Sequence, residues 1–253
     1  MRKFFSTSRL VNLHTPSVWV LFNELALNNS ALNLVSGFPN WDPPSFLTPN
    51  PNMTSQNFLK ILGDHYSPLY KKELDGKKNF CITPGANYAI NNILFSYLQQ
   101  GDEVVSIEPF YSEYYPETCI AGGKFKGVSL LPPVPRVRGA NQNLTFDRVK
   151  DEWKIDWETL KKSITPKTRI LMINNPNNPT GKIFTKEELE GIAEIIKPFP
   201  KIIVISDEVY EKCFFEEVTE IERFANVKDM FDRTISILSA GKIFAATGIR
   251  VGW

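Results

Sequence analysis

Lys242 lies in the run SILSAGKIFAATGIRVGW, Ser236 to Trp253, which gathers an amine, hydroxyls and a guanidinium at and just past the end of the β-branched, apolar stretch TISIL. A strand that ends there would deliver Ser239 and Lys242 to the edge of a sheet, where open α/β folds bind their ligands. The amine can condense with an aldehyde, while Ser239 and Arg250 can hold a phosphate on the same ligand. A lone lysine is ordinarily a solvated surface residue. Four upstream segments change that expectation.

In FCITPGANYAINNILFSYL, Phe80 to Leu98, a short apolar strand ends at Thr83, Gly85 makes a turn, and a helix with Ile90, Ile93, Leu94 and Leu98 follows. The open amides of Ala86 and Asn87 would face an anion. In EVVSIEPFYSEYYPETCIAGG, a strand stops at Pro109 and presents Phe110 and Tyr111, either as core aromatics or as a stacking face for a flat ring. In RILMINNPNNPTGKIFTKEELEGIAEII, an apolar strand runs into an Asn- and Pro-rich turn, and Thr185 with Glu188 forms a capping box. In KIIVISDEVYEKCFF, a buried strand ends on Asp207 with Tyr210 close behind. A carboxylate in that position needs a partner that offsets its desolvation, and a protonated ring nitrogen would serve.

The order of these elements, together with SVWVLFNELA and NLVSGFPNWDPPSF near the start, resembles the fold-type I pyridoxal-phosphate aminotransferases of class I/II. Within them the chain is most similar to the kynurenine aminotransferase and glutamine transaminase K (cysteine-S-conjugate β-lyase) group. The resemblance implies an α/β fold with the three-layer, mostly parallel sheet of that family's large domain. It implies transamination from an aromatic or sulfur-containing amino acid, of kynurenine, glutamine or phenylalanine type, to a 2-oxo acid, with pyridoxal 5'-phosphate as cofactor and a homodimer as the assembly.

It also implies roles for individual residues. Lys242 would carry the cofactor as a Schiff base and move the proton at Cα. Asp207 would pair with the ring nitrogen, supported by Asn174, and Tyr111 would stack on the ring. Tyr210 and Asn178 would bond its phenolic oxygen, Asn178 lying near the substrate carboxylate as well. Ser239, Arg250 and the amides of Ala86 and Asn87 would hold the phosphate. Trp19 and Gly37 would line the substrate pocket.

Family members continue into a small C-terminal domain whose arginine clamps the substrate α-carboxylate, whereas this sequence stops at Trp253, directly after the phosphate motif. A second departure lies between Phe46 and Tyr66. There the family has an extra stretch with an NQY-type motif whose tyrosine reaches the neighbouring subunit, and no such role passes to Tyr66. The expectation is therefore a C-terminally truncated member with an uncovered sheet edge. Residues 1–33 are expected to form an arm and first helix, and 34–253 the N-terminal part of the large domain. The alternative is a non-catalytic, cofactor-binding or interaction remnant of such an enzyme.

Composition fits this picture. The 253 residues are 42% hydrophobic with a formal net charge of +1, a balance that points to neither nucleic acid nor membrane as a partner. KKELDGKK and TKEELE read as solvated faces. Only His14 and His65 are present, which leaves no zinc constellation or Ser-His-Asp triad, and no GxGxxG fingerprint occurs. Cys81, Cys119 and Cys213 lack paired spacing and are expected as buried, reduced thiols. The proline-rich, aperiodic run from Leu131 to Asp151 is expected as an exposed insertion. MRKFFSTSRLVNLHTP is basic and acid-free, like a mitochondrial presequence. Because SRLVNL already resembles the family's arm, the cytoplasm is the expected compartment, with the mitochondrion as the alternative.

Overall fold

The computed structural model describes residues 28, 55–133, 136–138, 143–145, 152–214 and 220–253. Trp19, Gly37 and the expected arm and first helix up to residue 33 lie outside the described residues, apart from Asn28. The chain divides into two compact units, residues 1–100, 112–123 and 238–253 in the first and 101–111 with 124–237 in the second.

The second unit is built on a six-stranded sheet. Its strands are β1 (Glu103–Glu108), β2 (Lys124–Leu131), β5 (Lys154–Ile155), β6 (Thr168–Asn174), β7 (Ile203–Asp207) and β8 (Thr234–Ile237), in the order β5-β2-β1-β6-β7-β8. All neighbours are parallel except β2 and β5. The inner strands EVVSIE, TRILMIN and IVISD are buried almost throughout, as strands covered on both faces must be. The chain steps from β1 to β2 on one side and returns to β6 on the other. The strand order therefore reverses between β1 and β6, the kind of switch point at whose carboxyl ends such sheets leave a crevice.

Two helices pack with this sheet in one core. The helix Lys186–Ile196 buries Leu189, Ile192, Ala193 and Ile196, a one-sided stripe at helical spacing. Thr185 accepts from the Glu188 amide while Glu188 accepts from the Thr185 amide, so the expected capping box is realised. The helix Trp157–Ser163 starts at Asp156, whose carboxylate accepts from the Thr159 amide, and ends on Lys161 and Lys162, which suit the negative pole. A Cβ on Gly191 would come within 2.7 Å of the Trp157 ring, so glycine is what lets the two helices approach. Leu160, Leu171, Ile173, Phe184, Leu189, Ile192 and Val204 are central to the core.

The first unit contains the helices Ser55–Leu69, Gly76–Asn79, Ala86–Tyr97, Tyr114–Ile120 and Ala240–Ile243. Tyr66 packs against Tyr70, Phe80 and Trp253, and Phe58 meets Trp253 edge-on at 5.8 Å. Asn91 donates to the Glu117 carboxylate at 3.0 Å and ties two of these helices together.

Two expectations are corrected and a third is refined. Phe80 to Thr83 is not a strand; Thr83 forms only an isolated antiparallel bridge with Gly252, and Cys81 and Ile82 face solvent. The cysteines are free thiols, but Cys81 and Cys213 are exposed and Cys119 is half-buried, since none sits inside a strand or on a helix face turned to the core. Within the Leu131–Asp151 run, β3 (Arg136–Arg138) pairs antiparallel with β4 (Asn143–Thr145), a ladder that the aperiodic sequence does not announce.

Candidate active site

In the second unit the polar residues collect at the carboxyl ends of β6 and β7. Asn174 and Asp207 are the last residues of these strands and stand side by side in register. Both are buried, at 4% and 5% exposure. The Asn174 side chain donates to the Asp207 carbonyl oxygen at 2.9 Å and accepts from the Asn178 amide at 2.6 Å, which fixes the turn after β6 to the end of β7. The Asp207 carboxylate accepts from the Val209 amide at 3.2 Å. Asn178 donates to the Tyr210 oxygen at 3.1 Å. The structure thus brings Asn174, Asn178, Asp207 and Tyr210 together as the motifs suggest.

Burial pushes the Tyr210 phenol up to about 12, and the nearby Asp207 charge works in the same direction, while the Asn178 hydrogen bond opposes them. Tyr111 adds to the upward shift, which puts it among the groups surrounding Tyr210. Tyr111 itself is half-buried, beside Phe110, whose ring lies 4.7 Å from that of Phe125. Tyr210 is therefore a neutral hydrogen-bond donor at any ordinary pH. Because Asn178 donates to its oxygen, the phenol directs its own proton elsewhere.

The density of asparagine in NNPNNPTG has a division of labour that the sequence does not reveal. Asn175 donates to the Glu222 carbonyl at 2.8 Å and accepts from the Phe184 amide at 3.0 Å. Asn177 donates to the Pro109 carbonyl at 3.3 Å, across the crevice between β1 and β6, and accepts from the Thr180 hydroxyl at 2.6 Å. These two build the turn that holds Asn174 and Asn178 in place. Lys182, only 8% exposed, pairs with Glu188 at 2.8 Å and stands 5.2 Å above the Phe184 ring, anchoring the far end.

The first unit holds a cradle made largely of backbone. Gly85, at φ 100°, is the N-cap of the helix Ala86–Tyr97 and supplies no side-chain cap, so the amides of Ala86 and Asn87 open the helix without one. Gly252 bridges to both Thr83 and Ser239, and a Cβ placed on it would lie 2.8 Å from the Ala86 nitrogen. Arg250, in the left-handed region at φ 58°, lays its guanidinium over Gly85, where an added Cβ would come within 2.4 Å of Nη2. Ser239 is the N-cap of Ala240–Ile243, yet its hydroxyl makes no capping bond. Lys242, half-buried, sits on that same short helix. Ala86, Asn87, Ser239, Lys242 and Arg250 thus fall in one unit. Thr83 and Gly252, which close the cradle, were not legible as site residues.

Each unit's donor set, taken by itself, fits one part of a phosphorylated pyridine aldehyde. A helix start, a hydroxyl and a planar guanidinium suit a dianion. A buried carboxylate with an amide and a neutral phenol suits a protonated ring nitrogen and a phenolic oxygen. Among the described residues no group of three or more His, Cys, Asp or Glu side chains could hold a metal ion, and no helix is long and apolar enough to cross a membrane.

The family model "Aminotransferase class I and II" matches residues 49–253. The kynurenine–oxoglutarate transaminase of Dictyostelium discoideum is 37% identical over 264 residues, covering 98% of this chain and 60% of the relative. Kynurenine–oxoglutarate transaminase 1 of Mus musculus is 36% identical over 270 residues, covering 100% of this chain and 61% of the relative. The crystal structure of Bna3p from Saccharomyces cerevisiae superposes with a TM-score of 0.83 at 34% identity, over 100% of this chain and 62% of that one. The chain thus spans less than two thirds of the length of the proteins it matches.

Proposed function

Because the chain belongs to the class I and II aminotransferase family, we propose that its protein transfers an amino group from kynurenine or a similar aromatic or sulfur-containing amino acid to a 2-oxo acid, with pyridoxal 5'-phosphate as cofactor. The observation that carries this reading is the cradle of Gly85, Arg250 and Gly252 in the same unit as Lys242. Relatives named as kynurenine–oxoglutarate transaminases support the choice of donor and acceptor.

When bound, the cofactor supplies an electron sink for the pair left at the substrate Cα. The amides of Ala86 and Asn87, the Ser239 hydroxyl and the Arg250 fork would hold its phosphate. Lys242 Nζ would hold the aldehyde carbon and would be the base that moves the proton at the substrate Cα. The Asp207 carboxylate would keep a proton on the ring nitrogen, since opposite charge favours both ionised forms. Tyr210 would donate to the ring's phenolic oxygen, and Asn178, which donates to Tyr210, would also lie near the substrate carboxylate. Tyr111 would stack on the ring, and Trp19 and Gly37, which the family resemblance gives to the substrate pocket, lie outside the described residues. Homodimerisation and a cytoplasmic location, with the mitochondrion as the alternative, complete the proposal on the strength of the family resemblance.

Borohydride reduction of the protein with pyridoxal phosphate, followed by peptide mapping, tests this reading. The adduct is expected on Lys242 and is expected to be lost in Lys242→Ala. An adduct confined to other lysines, or half-transamination that survives in Lys242→Ala, would overturn it.

A further inference from the structure

Arg223 is 2% exposed and ion-paired with two buried carboxylates, Nη1 with Glu208 and Nη2 with Glu211. These acids are the chain neighbours of Asp207 and Tyr210. In SDEVYE the two residues given to the cofactor alternate with the two held by Arg223, each pair three positions apart. The backbone between them is a tight turn, with the Glu211 amide donating to the Glu208 carbonyl at 2.9 Å. Glu208 is fixed on its other side as well, since its Oε1 accepts from Ser206 at 2.8 Å and from Ser236 at 3.2 Å, and its amide donates to the Ile237 carbonyl at 2.8 Å. One planar guanidinium therefore spans Glu208 and Glu211, the chain neighbours of Asp207 and Tyr210.

Burying a cation and two anions is a costly way to fill a core, and apolar residues of similar volume stabilise at least as well. What the ionic triad adds is direction, because a fork bonded at both ends tolerates one arrangement of its partners. We propose that Arg223 is a positioning residue for the cofactor ring: it holds Asp207 and Tyr210 at the spacing that the ring nitrogen and the phenolic oxygen require. The inference rests on the function proposed above.

The test uses the full-length protein loaded with pyridoxal phosphate, in the parent and in Arg223→Lys and Glu211→Gln. Arg223→Lys keeps the charge and loses the fork, whereas Glu211→Gln keeps Arg223 paired to Glu208, so one folded variant remains if the other fails. Three quantities are read: the thermal midpoint, the pH midpoint of the absorbance change of the bound cofactor, and kcat with KM. In variants that still fold, the spectral midpoint is expected to move up by about half a unit or more as the Tyr210 hydrogen bond to the ring slackens. Turnover is expected to fall about tenfold with little change in KM. If both variants retain the parental spectral midpoint and kcat, whatever their thermal stability, Arg223 only supports the fold and the proposal is wrong. A parent that takes up no cofactor on Lys242 overturns the functional reading and this inference with it. A parent that loads normally beside unchanged variants overturns this inference alone.

Discussion

Asn178 donates its side-chain amide to the phenolic oxygen of Tyr210 at 3.1 Å, across 32 positions of sequence, and so couples the turn after β6 to the turn after β7. Neither residue is held by its own turn alone. The bond stiffens the strand ends exactly where two independent loops would otherwise drift, and it gives Tyr210 an acceptor role that leaves its proton for use elsewhere.

Tyr210→Phe should therefore slow half-transamination by about tenfold, the kinetic equivalent of one hydrogen bond of roughly 1.4 kcal/mol. It should also change the alkaline limb of stability. The folded phenol is raised from 10.0 to about 12, so its contribution is fully present below pH 10 and is lost as pH climbs toward 12. Denaturant unfolding at successive pH values should show a parental decline of roughly 2 kcal/mol over that window, and a smaller one in Tyr210→Phe.

Asp207→Asn should leave the fold nearly intact, because Asn174 and Asn175 bond the Asp207 main chain and not its carboxylate. The ring nitrogen would lose the anion that keeps it protonated. A cost of about 2 to 4 kcal/mol in the transition state is expected, read as a thirtyfold or greater loss in single-turnover rate. A rate within twofold of the parent would remove Asp207 from the role of ring partner.

Gly252→Ala should damage the cradle without touching any charged group. Its new Cβ would fall 2.8 Å from the Ala86 nitrogen and push the start of the helix aside. Overpacking of this kind costs about 1 to 3 kcal/mol. Titration calorimetry with pyridoxal phosphate should show weaker binding, and Arg250→Lys, which loses the planar fork, should do the same with a smaller loss of stability.

Glu103 offers a check far from any chemistry. Burial alone would raise its carboxyl, but hydrogen bonds from Lys126 at 2.7 Å and Thr165 at 2.6 Å prevail and hold it below the usual value of 4.5. A depressed carboxyl contributes stability above its ordinary range and loses it as pH falls through the folded value. Glu103→Gln should cost about 1 kcal/mol at neutral pH, with the difference from the parent shrinking below pH 4.5 in acid titrations of the unfolding midpoint.

A panel of amino donors tests the proposed specificity. Kynurenine, phenylalanine, glutamine and methionine should outrun aspartate in kcat/KM, as an aromatic-lined pocket with Tyr111 would favour. A strong preference for aspartate would place the protein in another branch of the family.

Much of the candidate site was legible in the sequence because its residues sit at strand ends, where a β-branched run stops abruptly on a polar residue: IVISD stops on Asp207, ILMIN on Asn174 and TISIL just before Ser239. The Thr185 and Glu188 cap was legible for the same reason, since both partners are local. What escaped depends on partners distant in sequence. Arg223 stands in TEIERFAN, a polar stretch without period, and an arginine there reads as a surface residue until Glu208 and Glu211 are brought to it. Asn175 and Asn177 were indistinguishable from their neighbours because only the fold shows which amides face the crevice and which face the turn. Thr83 failed in the opposite sense, its apolar flank suggesting a strand where one bridge suffices.

The bridge from Gly252 to Thr83 and Ser239 has a consequence for the order in which this chain folds. The helix Ala86–Tyr97 is local and can form early, but the cradle at its start waits for residues synthesised long afterwards. Closing so long a loop costs about 4 to 5 kcal/mol of chain entropy before any contact rewards it. A ligand that grips both ends favours the closed state by mass action. Any anion that fits the cradle should thus act as a late staple on the first unit and slow its reopening, so that occupancy would be written into the chain's resistance to proteolysis.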